Sequence, residues 1–121
     1  MKVIVAEDDE PRRAALAGYF RSLGHTVFET DMCSGALAHL EQNPDVRVIT
    51  WDGSLKDDTT YSAIGRLKRT GFKGLMVAAA SGHPDRRQQI IAGCSIEVDP
   101  TKPASYGPAL DKVLERLLSE R

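Results

Sequence analysis

The amino-acid sequence predicts an α/β fold, in which five parallel strands form a doubly wound sheet with helices on both faces. Short apolar segments alternate with segments of helical periodicity along all 121 residues. The apolar segments are continuous rather than alternating, as expected for strands that are buried on both faces. No repeat or linker divides the chain, so residues 1–121 are expected to form one domain around a single core.

The first half of the chain supplies three predicted strands and two predicted helices. The strands are expected at residues 3–6, 25–30 and 46–50. Leu16, Phe20 and Leu23 recur at helical spacing, which predicts an amphipathic helix that ends at Gly24. A second helix is expected over residues 34–42. Helices between successive strands favour parallel pairing, because the chain must cross back over the sheet each time.

The second half continues the alternation. Strands are expected at residues 74–80 and, more weakly, 95–98, and helices at residues 60–69 and 85–92. A closing helix is clearest, because its apolar side chains fall at i, i+3, i+4, i+7 and i+8: Leu110, Val113, Leu114, Leu117 and Leu118. The expected strand order is 2-1-3-4-5. Ligands of such sheets bind beyond the carboxyl ends of the strands, where the order reverses.

Composition excludes several classes of function. The net charge of −1 provides no basic surface for nucleic acid, and no apolar run is long enough to span a membrane. The N-terminus has no signal-peptide pattern, so a cytoplasmic location is expected. Cys33 and Cys94 lack metal-ligand spacing, which predicts two buried free thiols.

Carboxylates follow two strands that the expected order makes neighbours. Glu7 and Asp8 end strand one, in the segment VIVAEDDE, and Asp52 follows strand three. Such close negative charges repel one another unless they face water or hold a cation. Oxygen ligands without His or Cys suit Mg²⁺ or Mn²⁺. Asp9 and Glu10 are interpreted as acids at the N-terminus of the first helix.

A lysine beyond strand five completes this candidate site. Lys102 lies in the segment DPTKP, near the same edge of the expected sheet. Its ammonium group suits a phosphoryl group as a point charge. A carboxylate, a divalent cation and a lysine together suit covalent capture of phosphate on Asp52. No general acid or mobile cap of a hydrolase is evident, so an enzyme is not expected.

These segments resemble the receiver domain of two-component response regulators over essentially the whole chain. VIVAEDDEPRRAAL is similar to the first strand and acidic pair of that family, VITWDGSL to its acceptor strand, and TKPASYGPALDKVLERLL to its Lys-Pro turn and closing helix. The resemblance implies a flavodoxin-like fold with Asp52 as phosphoacceptor and Lys102 pairing with the phosphoryl group. It also implies a metal site formed by Glu7, Asp8, Asp52 and the Ser54 backbone carbonyl.

The chain departs from the family pattern at three places. Ala79 stands where a Ser or Thr is usual at the end of strand four, with Ala78 or Ala80 as the alternatives in a shifted register. Lys56 replaces the proline that is usual four residues after the acceptor. Asp99 stands where the family has a switch aromatic residue. Ala79 removes the hydroxyl that would hydrogen-bond the phosphoryl group. Asp99 removes the aromatic side chain that would turn inward in the family's switch.

Three further features allow the following interpretations. Asp99-Pro100 competes with Lys102-Pro103 for the Lys-Pro position, although the distance to the closing helix favours Lys102. Trp51 either packs in the core or shields the acceptor. Residues 57–60 are interpreted as N-terminal caps of the helix that follows them.

The resemblance implies that Asp52 accepts a phosphoryl group from a histidine kinase or phosphotransfer protein, with Mg²⁺, to signal to a downstream protein. No effector domain follows the closing helix, so the chain is expected to be either a stand-alone regulator or a fragment. The alternative hypothesis is a receiver-like interaction module that signals without phosphorylation. The intact acids favour the first hypothesis, whereas Ala79 and Asp99 favour the second.

Overall fold

A computed structural model describes residues 1–119 of the chain. The five strands are β1 (Lys2–Ala6), β2 (Thr26–Thr30), β3 (Val46–Trp51), β4 (Leu75–Ala78) and β5 (Ile96–Glu97). The five α-helices are α1 (Glu10–Ser22), α2 (Cys33–Gln42), α3 (Tyr61–Arg69), α4 (His83–Ala92) and α5 (Tyr106–Ser119). A short 3₁₀ turn, Pro103–Ser105, precedes α5.

All the strands are parallel, and their order is β2-β1-β3-β4-β5. This confirms the predicted fold class and strand order. Ala6 at the end of β1 lies opposite Trp51 at the end of β3, and Trp51 lies opposite Ala78 at the end of β4. Three strands therefore finish level with one another, and the loops that follow them meet at one edge of the sheet.

The side chains of β1 alternate between two apolar layers because successive residues of a strand point to opposite faces. Val3 and Val5 pack in the layer that α1 and α5 cover. Ile4 and Ala6 pack in the layer that α2, α3 and α4 cover. Trp51 is fully buried in the second layer, so packing is its observed role. Because helices cover both faces of the sheet, the strand sequences are apolar at successive positions rather than at alternate ones.

Some apolar side chains are exposed although their helical spacing predicted burial. Leu23 is exposed because α1 ends at Ser22 and the chain turns away from the core. Leu114 and Leu118 of α5 are also exposed, whereas Leu110 and Val113 are buried. The helix buries one face only, so the predicted apolar stripe on α5 is wider than the stripe that contacts the sheet.

Several other expectations are confirmed within the described part of the chain. Cys33 and Cys94 are buried and free. The Asp9 carboxylate accepts a hydrogen bond from the Arg12 backbone N–H at 3.0 Å and caps α1, and Glu10 lies in the first turn of that helix.

None of the helices within residues 1–119 has the length and apolarity needed to cross a membrane.

Candidate functional site

The carboxyl ends of β1 and β3 form one side of an open cavity of about 560 Å³. The Asp52 backbone N–H donates to the Ala6 carbonyl at 2.8 Å, which continues the pairing of the two strands into the loop. Five carboxylates line the cavity: Asp8, Asp9, Glu10, Asp52 and Asp85. Arg12 is the only cationic side chain among the lining residues. The structure therefore brings Asp8 and Asp52 together, as predicted.

Backbone N–H groups orient the Asp52 carboxylate. The Gly53 N–H donates to Asp52 Oδ1 at 2.7 Å, and the Asp8 N–H donates to Asp52 Oδ2 at 3.3 Å. Asp52 is partly exposed at the cavity, and Ser54 lies beside it in the lining. The carboxylate is thus held by the loops after β1 and β3 while remaining accessible.

Glu7 lies beneath this carboxylate rather than in the cavity lining. Its side chain is only 1% exposed, and its Oε2 accepts a hydrogen bond from the Asp9 N–H at 3.1 Å. Its buried Oε1 has no partner that could donate a hydrogen bond. Burial, followed by the hydrogen bond and negative charge of Asp52, raises the pKa of Glu7 to about 8. The raised pKa favours the protonated form of Glu7, which can donate a hydrogen bond to Asp52.

The donor set fits a hard divalent cation, although it is smaller than predicted. Within residues 1–119, no three His, Cys, Asp or Glu side chains form a ready metal cluster. Asp8, Asp52 and Ser54 nevertheless line one cavity, and two carboxylates with a carbonyl and water are a common Mg²⁺ environment. The buried Glu7 carboxyl lies behind them and would bind a cation only after losing its proton. The role of Glu7 as a direct ligand remains a prediction.

Lys102 is not brought into the cavity. Its side chain is 75% exposed, and its Nζ lies 3.9 Å from Asp99 Oδ2. The Val98 N–H still pairs with the Ala78 carbonyl at 2.8 Å, so Asp99 directly follows the last strand-like residue. Asp99 therefore occupies the strand end, and Lys102 lies three residues further along a turn. Arg12, which the sequence analysis did not single out, is the cationic group in the cavity.

The fourth strand ends at Ala78, and the two alanines that follow it have different surroundings. The Ala79 side chain packs in the core beside Val77 and Val98, and it does not line the cavity. The alanine that lines the cavity is Ala80, the shifted-register alternative, and Ser81 follows it there. The alanine in the cavity lining therefore offers no hydroxyl, while Ser81 supplies one in the same lining.

A buried glutamine of α4 joins this edge of the sheet to the helix. Gln89 is fully buried. Its Nε2 lies 2.7 Å from the Trp51 carbonyl, 3.0 Å from the Asp52 carbonyl and 3.1 Å from Thr60 Oγ1. Its Oε1 accepts a hydrogen bond from the Ala80 N–H at 3.1 Å. Sequence reasoning missed this residue, because glutamine on a helix is usually exposed.

The loop after Asp52 is held from the opposite side. The Asp57 carboxylate accepts hydrogen bonds from the Cys33 N–H at 2.7 Å and the Ser34 N–H at 2.9 Å. The interpretation of Asp57 as a cap of the following helix was therefore wrong, because it caps α2 instead. Lys56 contacts Asp31 through an ion pair at 2.8 Å and through its backbone N–H. These contacts fix the loop at the position where proline was expected.

Comparisons with known proteins identify the fold. No protein-family model and no curated protein matches the sequence. A putative two-component system response regulator/GGDEF domain protein matches with a TM-score of 0.85 and 20% identity over 97% of this chain. This chain spans 50% of the length of that protein.

Two further solved structures are similar. The receiver domain of TorR, the TMAO respiratory system response regulator, matches with a TM-score of 0.79 and 24% identity, over 95% of this chain and 97% of the other. The Saccharomyces cerevisiae receiver domain of Ssk1, crystallised with the histidine phosphotransfer protein Ypd1, matches with a TM-score of 0.69 and 16% identity, over 81% and 77% of the chains. With its strand order and the acids at the ends of β1 and β3, this chain has the receiver-domain fold of two-component response regulators.

Proposed function

We propose that the chain is a receiver module of a two-component pathway and that Asp52 is its phosphoacceptor. The observation that carries this proposal is the placement of Asp52. Its carboxylate is oriented by the Asp8 and Gly53 N–H groups and opens into a cavity beyond the carboxyl ends of β1 and β3. This is the edge at which doubly wound sheets bind ligands.

The proposed donor is phosphohistidine of a histidine kinase or a phosphotransfer protein. The receiver domain of Ssk1 forms a complex with a histidine phosphotransfer protein, which supports this class of partner for a chain of the same fold. An Asp52 carboxylate oxygen attacks phosphorus in line, and a new O–P bond forms. The P–N bond breaks, and its electron pair remains on the imidazole nitrogen. The chain is then a substrate that carries the phosphoryl group rather than an enzyme.

Negative charge on the phosphoryl oxygens must be balanced within an acidic cavity. Asp8, Asp52 and the Ser54 carbonyl would hold Mg²⁺ or Mn²⁺, with Glu7 behind them. A bound ion would supply neutralisation of the transferred phosphoryl group. Either Arg12 or Lys102 is proposed to supply a second positive charge. Arg12 already lines the cavity, whereas Lys102 would have to leave Asp99 and turn inward.

The direct test is phosphorylation by a small acyl phosphate in the presence of Mg²⁺, followed by intact-mass measurement. The wild-type chain is expected to gain one phosphoryl group, and Asp52→Asn is expected to gain none. Asp111→Asn on the exposed face of α5 removes a carboxylate outside the cavity and is the matched control. Equal labelling of the Asp52→Asn variant would contradict the assignment.

A second candidate function is a phosphorylation-independent interaction module for a downstream protein. It is favoured by the absence of a hydroxyl on Ala80 and by the exposed position of Lys102, which leave the cavity without two usual phosphoryl partners. If saturating acyl phosphate leaves the folded wild-type chain unlabelled, this second function replaces the first.

For either function we propose a cytoplasmic location, which two free, buried cysteines support.

A further inference from the structure

The buried amide of Gln89 occupies the point where two strands of the sheet separate. The last backbone hydrogen bond between β3 and β4 joins the Ala79 N–H to the Trp51 carbonyl at 2.8 Å. Beyond it, the Gln89 side chain lies between the two strand ends. Its Nε2 donates towards the carbonyls of Trp51 and Asp52, and its Oε1 accepts from the Ala80 N–H. The side-chain amide therefore replaces the next backbone hydrogen bond that would join β3 to β4.

These contacts fix the backbone on both sides of the Asp52 carboxylate. The Trp51 carbonyl precedes the Asp52 residue, and the Asp52 carbonyl follows it. The same amide group contacts Thr60 Oγ1, which lies at the start of α3. Gln89 thus ties the acceptor, the facing strand end and the next helix to α4. A buried amide with its hydrogen bonds made specifies one arrangement, because any shift would leave polar groups unpaired.

We propose that Gln89 is a positioning residue that sets the orientation of the Asp52 carboxylate from α4. This inference rests on the proposed phosphoacceptor function and extends it to a residue outside the cavity. Gln89 does not touch the reacting atoms. It fixes the spacing between the Asp52 backbone and Ala80 across the cavity, so its loss would misplace the nucleophile rather than remove a ligand of the phosphodonor.

A positioning role and a purely structural role have different kinetic consequences. Misplacing a reacting group by about 1 Å can cost roughly a hundredfold in rate. It lowers the maximal rate of phosphorylation while leaving the half-saturating concentration of the phosphodonor unchanged. A role in stability alone would lower the melting temperature and leave the rate per folded molecule unchanged.

The experiment compares the wild-type chain with Gln89→Met, Gln89→Leu and Gln88→Met, using acyl phosphate and Mg²⁺. Methionine keeps the length of the side chain but makes none of the hydrogen bonds, and leucine makes none of them with a shorter side chain. Gln88 is the exposed neighbour on α4 and serves as the control. Gln89→Met is expected to lower the maximal rate at least about tenfold, with a half-saturating concentration within about twofold of wild type. An unchanged rate per folded molecule would overturn the inference.

A second readout needs neither phosphorylation nor the folding of the methionine variant. The Gly53 N–H donates to Asp52 Oδ1, so its solvent exchange reports the placement of that carboxylate. In Gln89→Leu, exchange at Gly53 is expected to accelerate at least about tenfold relative to the core amides of β1, with no such change in Gln88→Met. Equal acceleration at Gly53 and in β1 would show general destabilisation and overturn the inference. An unlabelled wild-type chain would overturn the phosphoacceptor function, and the Gly53 readout would still decide the positioning role.

Discussion

The two sides of the cavity are built in different ways. On the acidic side, Asp8 and Asp52 come together because they follow neighbouring parallel strands. On the side of α4, long side chains reach back to the sheet. Arg86, only 7% exposed, donates to the Ala80 carbonyl at 2.9 Å, and Gln89 connects the ends of β3 and β4. Strand order therefore determines one side, whereas individual buried polar residues determine the other.

The contacts of α4 differ in kind from those of the acidic side. Arg86 and Gln89 make hydrogen bonds to backbone groups at the ends of β3 and β4, so α4 is attached to the acceptor edge by buried polar contacts. Arg86 Nε also lies 3.6 Å from Glu97 of β5. Under the proposed function, phosphorylation would change the charge of the acidic side, while buried hydrogen bonds hold the α4 side in place.

The largest expected effect tests the acidic side. Between pH 4.5 and about 8, the folded state holds a proton on Glu7 that the unfolded chain has released. The contribution of Glu7 to the free energy of unfolding therefore declines as pH rises through this window. Glu7→Gln should remove that decline, measured by chemical denaturation in Mg²⁺-free buffer. Asp111→Asn, on the exposed face of α5, is the control, and identical pH slopes for Glu7→Gln and wild type would contradict a protonated Glu7.

A second effect on the same side concerns the cation. Mg²⁺ that binds only the folded state stabilises it by about 2.7 kcal/mol at a concentration a hundredfold above Kd. The melting temperature of the wild-type chain should therefore rise with added Mg²⁺, and Asp8→Ala should abolish the rise. Asp111→Asn should preserve it. A wild-type melting temperature that stays constant up to tens of millimolar Mg²⁺ would show that the acids do not form a working metal site.

A third prediction compares Arg12, which lines the cavity on its acidic side, with Lys102, which lies outside the cavity. Arg12→Met should slow acyl phosphate labelling about tenfold, because a hydrogen bond to a charged group is worth roughly 1.5–3 kcal/mol. Lys102→Met should change the labelling rate less than about twofold, because its ammonium group faces Asp99 and solvent. Quantitative intact-mass time courses measure both rates. The reverse order would restore Lys102 as the phosphoryl partner and would show that it turns into the cavity.

The smallest expected effect is on the α4 side. Binding of beryllofluoride, a phosphoryl mimic, should shift amide NMR signals near Asp52 and Glu7 and leave those of residues 85–103 almost unchanged. Ala80 offers no hydroxyl to the mimic, Asp99 offers no aromatic ring, and Gln89 holds α4 to the acceptor edge. Large cooperative shifts across residues 85–103 would remove the distinction between a responsive side and a fixed side.

The fold and the acidic side were predictable from sequence because both depend on repeated patterns. Apolar strands that alternate with helices determine the sheet, and the sheet brings Asp8 close to Asp52. The position of Lys102 was not predictable, because the turn after β5 depends on hydrogen bonds from Thr101 to Asp99 at 2.6 and 3.0 Å. Nor does any periodicity show that Gln89 points inward, since its burial depends on partners that lie 9 to 38 residues away.

The cap that Asp57 gives α2 links two surface segments that lie 24 residues apart. Met32 at the N-terminal cap of α2 makes no side-chain hydrogen bond, so the helix takes its capping carboxylate from the loop after Asp52. The start of α2 and the acceptor loop should therefore open and close as one cooperative unit. A protease that cuts one segment should release the other, so the two sites would be nicked together and protected together.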